Sequence, residues 1–141
     1  MQDANSVSLS NNSSISTAIN ADAIVNTNVA AVGGNIDIQA RSLLLTNGSQ
    51  ISANTSGTGD AGSVIVRQAD SISLSNSSIS TAVESTAVGN GDDISIESRS
   101  LSLNDSAQVR ASTSGQGDAG SIQLNTPDAV SISGANSGLF T

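Results

Sequence analysis

The 141-residue sequence has no cysteine, tryptophan, tyrosine, histidine or lysine, one phenylalanine and one proline. Without cysteine there is no disulfide framework and no thiolate metal site. Without histidine, the usual general base near neutral pH and the commonest zinc ligand are missing. A serine nucleophile has neither histidine nor lysine to activate it. The only cations are four arginines, set against twelve acids for a net charge of −8. So few cations make a poor phosphate-binding surface, and nucleic acid is not an expected partner. No apolar run reaches the ~18–20 residues of a membrane-spanning helix. Met1 leads straight into Gln2-Asp3-Ala4-Asn5, with no secretory leader.

What is abundant is serine, asparagine and glycine, a composition that suits a disordered chain. Yet 36% of the residues are hydrophobic, and they are placed with order. Arg41-Ser-Leu-Leu-Leu returns 58 residues later as Arg99-Ser-Leu-Ser-Leu. Gly57-Thr-Gly-Asp-Ala-Gly-Ser63 returns as Gly115-Gln-Gly-Asp-Ala-Gly-Ser121, again 58 later. The half-period is also present, since Leu43, Ile72, Leu101 and Val130 are each 29 apart, as are Leu45, Leu74, Leu103 and Ile132. Val7 and Leu9 begin both series. A fixed period in this range marks a repeat architecture.

Within a unit the apolar period is two, as in Ile72-Ser73-Leu74, which is the pattern of a half-buried strand. A second short strand carries Ile15, Ile51, Ile79 and Val109. A third carries Ile36/Ile38, Val64/Val66, Ile94/Ile96 and Ile122/Leu124. Three short strands per ~29-residue coil predict an all-β parallel β-helix, a single solenoid domain over residues 1–141 with four to five coils. Coils stack ~4.8 Å apart, so equivalent residues form ladders along the axis. A lone coil cannot bury its apolar residues, and stability comes from its neighbours.

Stacking predicts a charge ladder. Arg41, Asp70, Arg99 and Asp128 hold equivalent positions with alternating sign, so each faces an opposite charge on the next coil. Arg67 and Glu97 form a second candidate pair, and the alternation accounts for a repeat of 58 rather than 29. Asn11, Asn47, Asn76 and Asp105 follow the first strand, where residues that tolerate left-handed backbone make turns. Residues 19–35 form the longest insertion, a loop on one corner.

The acids invite a test for chemistry. Asp60 and Asp118 sit at matching corners two coils apart, with Asp92 and Asp93 on the coil between. Asp60, Asp92 and Asp118 are thus the candidate site for Ca²⁺, the one cofactor such oxygens suit. The competing reading is a turn in which each Asp bonds nearby backbone. Paired acids for glycoside hydrolysis are disfavoured, because no tryptophan or tyrosine stands ready to stack on a sugar. No catalytic residue is assigned.

The succession Arg-Ser-Leu-x-Leu, Gln-Ile-Ser-Ala or Gln-Val-Arg-Ala, and Ser-Gly-x-Gly-Asp-Ala-Gly-Ser resembles the shaft repeats of bacterial filamentous haemagglutinin-like exoproteins. The resemblance spans the whole chain and implies a right-handed β-helix. It also implies a spacer exported by two-partner secretion through an outer-membrane transporter, placing the chain outside the cell or on its surface. A receptor or glycan on a host or neighbouring cell is then met by other parts of the full protein. The family's amino-terminal secretion motifs, with their Asn-Pro pairs, have no match here, where the only proline is Pro127. The chain therefore reads as a fragment of a longer shaft. Two further classes remain: a fragment of a polysaccharide-active β-helix enzyme or carbohydrate-binding module, and a fibre unit that self-associates end to end through open strand edges.

Overall fold

The computed structural model describes residues 4–18 and 33–141, among which there is no helix. The strands are β1 (Ala4–Leu9), β2 (Ser14–Ser16), β3 (Ile36–Thr46), β4 (Gln50–Ser52), β5 (Val64–Ser75) and β6 (Ser78–Val83), followed by β7 (Ile94–Asn104), β8 (Gln108–Thr113), β9 (Ile122–Asn125), β10 (Ala129–Ile132) and β11 (Gly138–Phe140). One sheet runs β1-β3-β5-β7-β10, with β9 also on β7; the other runs β2-β4-β6-β8-β11. Each step along either order moves one coil down the axis, and the described pairings are parallel. The chain is a parallel β-solenoid of about four turns with a period of ~29 residues.

The register reproduces the sequence ladders. Val7, Leu43, Ile72, Leu101 and Val130 are successive partners, as are Leu9, Leu45, Leu74, Leu103 and Ile132. Ile15, Ile51, Ile79, Val109 and Leu139 form the second-strand ladder. Ile36, Val64, Ile94 and Ile122 form one of the third-strand ladders. Apart from Val130 and Ile132, which are exposed, these side chains meet inside one continuous core. Alternation puts the intervening serines outside, because successive strand residues point to opposite faces. Each fully buried Leu, Ile or Val contributes roughly 1.5–3 kcal/mol.

The third segment of one repeat and the first of the next run together as a single strand of 11 or 12 residues, β3, β5 or β7. Inward residues alternate through Ile36, Ile38 and Ala40, then two outward residues precede Leu43. That phase slip turns the corner without ending the strand. In β5 an extra residue enters: Gln68 adopts φ 57° and the register shifts on both sides of the strand. An inserted residue at a bulge bends the strand and re-aims side chains. The offsets of 28 and 30 residues on either side of β5 are thereby brought to 29 in the first strand, and one extra residue between β9 and β10 does the same for the last offset of 28.

The opposite corner is a turn with a repeated left-handed residue. Asn11, Asn47, Asn76 and Asp105 have φ between 47° and 55°, and Gly134 continues the series at φ 89°. Asn and Asp accept this backbone at lower cost than most residues. Beside it Ser49 and Ser77 are buried, and each hydroxyl donates to a carbonyl of its own turn, Thr46 and Ser75 respectively.

Two threonines bond across a coil, Thr81 buried and Thr17 half-buried. Thr81 donates to the Asp92 carbonyl (2.6 Å), and Thr17 makes the matching bond to Gly34. Their counterparts on alternate coils are Ala53 and Ala111. Thr55 differs, being fully buried with its hydroxyl unpartnered. Leaving a buried hydroxyl unbonded costs about 1–3 kcal/mol. Thr55→Val keeps the shape and removes the polar atom, so it is expected to raise stability by about 1 kcal/mol in denaturant titration.

Of the 19–35 insertion, residues 19–32 lie outside the described residues. Gly33 and Asn35 stack on the following coil: Gly33 donates its N–H to Asp60, and the Asn35 side chain accepts the Ser63 N–H.

Candidate functional site

The irregular corner holds the motif Gly-x-Gly-Asp-Ala-Gly-Ser and is the natural place to look for chemistry. Backbone bonds stack its coils directly, with Gly59 N–H to Val88, Ala61 N–H to Asn90, Gly89 N–H to Gln116 and Gly91 N–H to Asp118. The coils approach so closely that a Cβ on Gly89 would lie 2.1 Å from the Gly59 carbonyl oxygen. Glycine is required there for clearance.

Side chains add a second set of axial bonds. Asp60 Oδ1 accepts the Asn90 N–H (2.7 Å), and Asn90 Oδ1 accepts the Asp118 N–H (3.0 Å). One step further along, Asn35 accepts the Ser63 N–H (3.0 Å), and Asp93 Oδ1 accepts both the N–H and the hydroxyl of Ser121 (2.8 Å each). These bonds give the acids of the calcium expectation separate partners. Asp60 and Asp118 are separated by the Asn90 rung, and Asp92 turns its carboxylate to the Asp93 N–H (2.8 Å). Among the described residues no three acidic groups converge to hold a metal. Asp60 and Asp92 point at backbone donors, which leaves Asp60, Asp92 and Asp118 without a common centre.

Asp93 was noted in the sequence only as a neighbour of that corner. Its role as a clamp between coils was legible in one signal: Asn35, Ser63, Asp93 and Ser121 alternate acceptor and serine with a period of 58. The two Ser121 bonds hold the Asp93 carboxyl below its ordinary value of 3.8, against a smaller opposing effect of burial. A depressed folded pKa means the charged clamp contributes fully above the ordinary value. The contribution is lost as pH falls through the folded one. Asp93→Asn keeps an acceptor, as Asn35 does, but cannot titrate. The gap in melting temperature between the two proteins is therefore expected to shrink between pH 5 and pH 2.

The charge ladder is realised in one step. Arg99 Nε lies 3.1 Å from Asp128 Oδ2. Arg41 and Asp70 flank the register shift between Gln39 and Ser42, and they make no ion pair within 4 Å. Asp70 makes none with Arg99 either, although their neighbours Ala69/Ser98 and Ser71/Ser100 are partners. Arg67 pairs with Asp37 on the preceding coil (3.2 Å), not with Glu97. The bulge at Gln68 sets Arg67 opposite Gln39, within diagonal reach of Asp37. Both ion pairs are exposed, so each contributes no more than about 1 kcal/mol. Arg99→Asp sets like charges beside Asp128; a loss of about 0.5–1 kcal/mol, abolished in 1 M salt, is expected by thermal melting.

Surface clefts are the remaining candidates, two of them near charged residues. One of about 230 Å³ lies at the bulge, between Gln68, Asp70, Glu97, Arg99 and Asn125. The other, also about 230 Å³, crosses β4, β6 and β8 among Gln50, Asn54, Glu84, Gln108 and Arg110. Asn54 is engaged in it, accepting from Ser80 Oγ (3.1 Å) and the Ala82 N–H (2.9 Å). Both clefts are shallow and polar, and some of their lining side chains, Gln68, Arg99 and Asn54, are bonded within the stack. No family model, no curated protein and no solved structure matches the chain.

Proposed function

We propose that the chain is a non-catalytic shaft segment, a spacer in a secreted or cell-surface adhesin-like exoprotein of the filamentous haemagglutinin-like kind. The observation that carries this reading is the unbroken axial bonding. Aliphatic ladders, backbone bonds at both corners and the Asx clamps all run coil to coil. Such a column is stiff and about 20 Å long for four turns at ~4.8 Å per turn. Its side chains lack the groups that commonly do chemistry, since histidine, lysine and cysteine are missing from the sequence. The sequence motifs that resemble shaft repeats add to the reading. In it, export proceeds through an outer-membrane transporter, and a receptor or glycan is met elsewhere on the full protein.

The test has two arms. In cells that carry the gene, antibody to this chain is expected to label intact cells or the medium. Antigen confined to the cytosol overturns the surface role. Purified chain incubated with a panel of bacterial and plant polysaccharides is expected to release no reducing ends above a buffer blank. Release that depends on an intact acidic corner overturns the non-catalytic one.

A further inference from the structure

The sequence holds two Asn-Gly pairs, Asn47-Gly48 and Asn90-Gly91, and both asparagines are exposed. Asparagine before glycine is prone to lose its side-chain amide, because glycine puts no side chain in the way of its own nitrogen. In that reaction the Gly nitrogen gives up its proton and attacks the Asn Cγ. The bond from Cγ to the amide nitrogen breaks, ammonia leaves, and a cyclic imide remains. Water then opens the ring at either carbonyl, giving aspartate or isoaspartate, the second with the main chain rerouted through Cβ. Solvent is the only co-reactant. The stack holds the two pairs differently. Gly48 N–H donates to the Asn76 carbonyl and Gly91 N–H to the Asp118 carbonyl, 2.7 Å each. Either nitrogen must leave the next coil before it can attack. At Asn90 the rest is held too, since its N–H donates to Asp60 Oδ1 and its Oδ1 accepts the Asp118 N–H. No bond among the described residues holds the Asn47 side chain.

We infer that Asn47 is a spontaneous deamidation site, latched only by the bond from Gly48 to the next coil, and that its conversion to isoaspartate unlatches the corner. The turn itself calls for the labile pair. Asn47 and Gly48 are both left-handed, at φ 55° and 77°, a succession for which Asn-Gly is preferred. The matching turns carry Asn76-Ser77 and Asp105-Ser106, in which the second residue has a side chain that hinders attack. The Asn47 carbonyl accepts the Asn12 N–H (2.9 Å) from the preceding coil. Rerouting the chain through Cβ turns that carbonyl into a side-chain carboxylate and moves the Gly48 N–H away from Asn76. Two axial bonds are lost, one on each side of the coil. Charge alone does little, since Asp105 holds the same left-handed place at φ 53°. The inference rests on the bonds of this corner and is independent of the export reading.

Trypsin cuts this chain only after its four arginines, so residues 42–67 and 68–99 carry the two sites on separate peptides. The full chain is aged at mildly alkaline pH, either folded or in concentrated urea. Conversion at each asparagine is read by peptide fragmentation mass spectrometry and by isoaspartyl methyltransferase labelling. In urea the two sites are expected to convert at similar rates. In the folded chain Asn47 is expected to convert about five- to tenfold more slowly than in urea, the effect of having to break one hydrogen bond. Asn90, with two further bonds, is expected to be about tenfold slower still. The folded fraction carrying isoaspartate at position 47 is then purified and melted beside Asn47→Asp. Asn47→Asp is expected within about 2 °C of the unaged protein, and the isoaspartate fraction at least about 3 °C below it. Equal rates at Asn47 and Asn90 in the folded chain overturn the latch, as does an Asn47 that converts as fast folded as in urea. Equal melting of the isoaspartate fraction and Asn47→Asp overturns the unlatching.

Discussion

Gly89→Ala is expected to destabilise the solenoid by about 3 kcal/mol, read as a fall in the urea midpoint. The new Cβ would sit 2.1 Å from the Gly59 oxygen and 2.5 Å from its carbonyl carbon. Both are backbone atoms of the neighbouring coil, so no side chain can swing aside. The coils must part at that corner, weakening the Gly59 N–H to Val88 and Gly89 N–H to Gln116 bonds. Overpacking of a tight site costs about 1–3 kcal/mol, and the strained axial bonds add to it. Ser85→Ala, an exposed change a few residues away, serves as the control and is expected to be within about 0.5 kcal/mol of wild type. If Gly89→Ala is equally silent, the close approach of the coils is not real.

Leu74→Ala is expected to cost about 3–4 kcal/mol. Leu74 is fully buried and lies between Leu45 and Leu103 in its ladder. Truncation opens a cavity that touches the coil above and the coil below. In a stacked repeat those are the only neighbours that stabilise a coil. The same truncation at Ile132, on the open last rung, is expected to cost less than about 1 kcal/mol, because that side chain is already half in water. With total stabilities of about 5–15 kcal/mol for a domain, Leu74→Ala leaves little reserve. Equal losses at Leu74 and Ile132 would sink the one-dimensional picture.

Much of the architecture was legible because two periods coexist in the chain. The two-residue alternation in Ile72-Ser73-Leu74 identifies strands, and the 29-residue spacing of Leu43, Ile72, Leu101 and Val130 sets which strand pairs with which and in what register. The left-handed positions at Asn47, Asn76 and Asp105 were legible for a similar reason, since a side chain type that tolerates φ > 0 recurs at one place. The candidate site was less so. Charges two residues before each first-strand ladder looked equivalent, yet only Arg99 and Asp128 meet. Sequence position ignores the phase slip after Ala40 and the bulge at Gln68, which redirect outward side chains without disturbing the inward ones. For the same reason Arg67 finds Asp37 and not Glu97. The doubled period of 58 has causes beyond charge: the Thr81/Ala111 and Asp93/Ser121 alternations and the extra residue in β5 all repeat every second coil.

The sequence by itself determined a parallel β-solenoid, its rungs, its register and a chain without the common catalytic side chains. Those follow from repetition, because a hydrophobic ladder reports burial wherever identical positions stack. Only the tertiary structure decided where each polar group spends its bonding. Asp60 and Asp93 became axial clamps between coils, and Thr55 was left buried without a partner. Polar bonds need atoms within about 3 Å and correctly aimed, and backbone shifts of a single residue at a corner are enough to make or break them. A serine-rich, acidic composition that suits disorder thus encodes an ordered column.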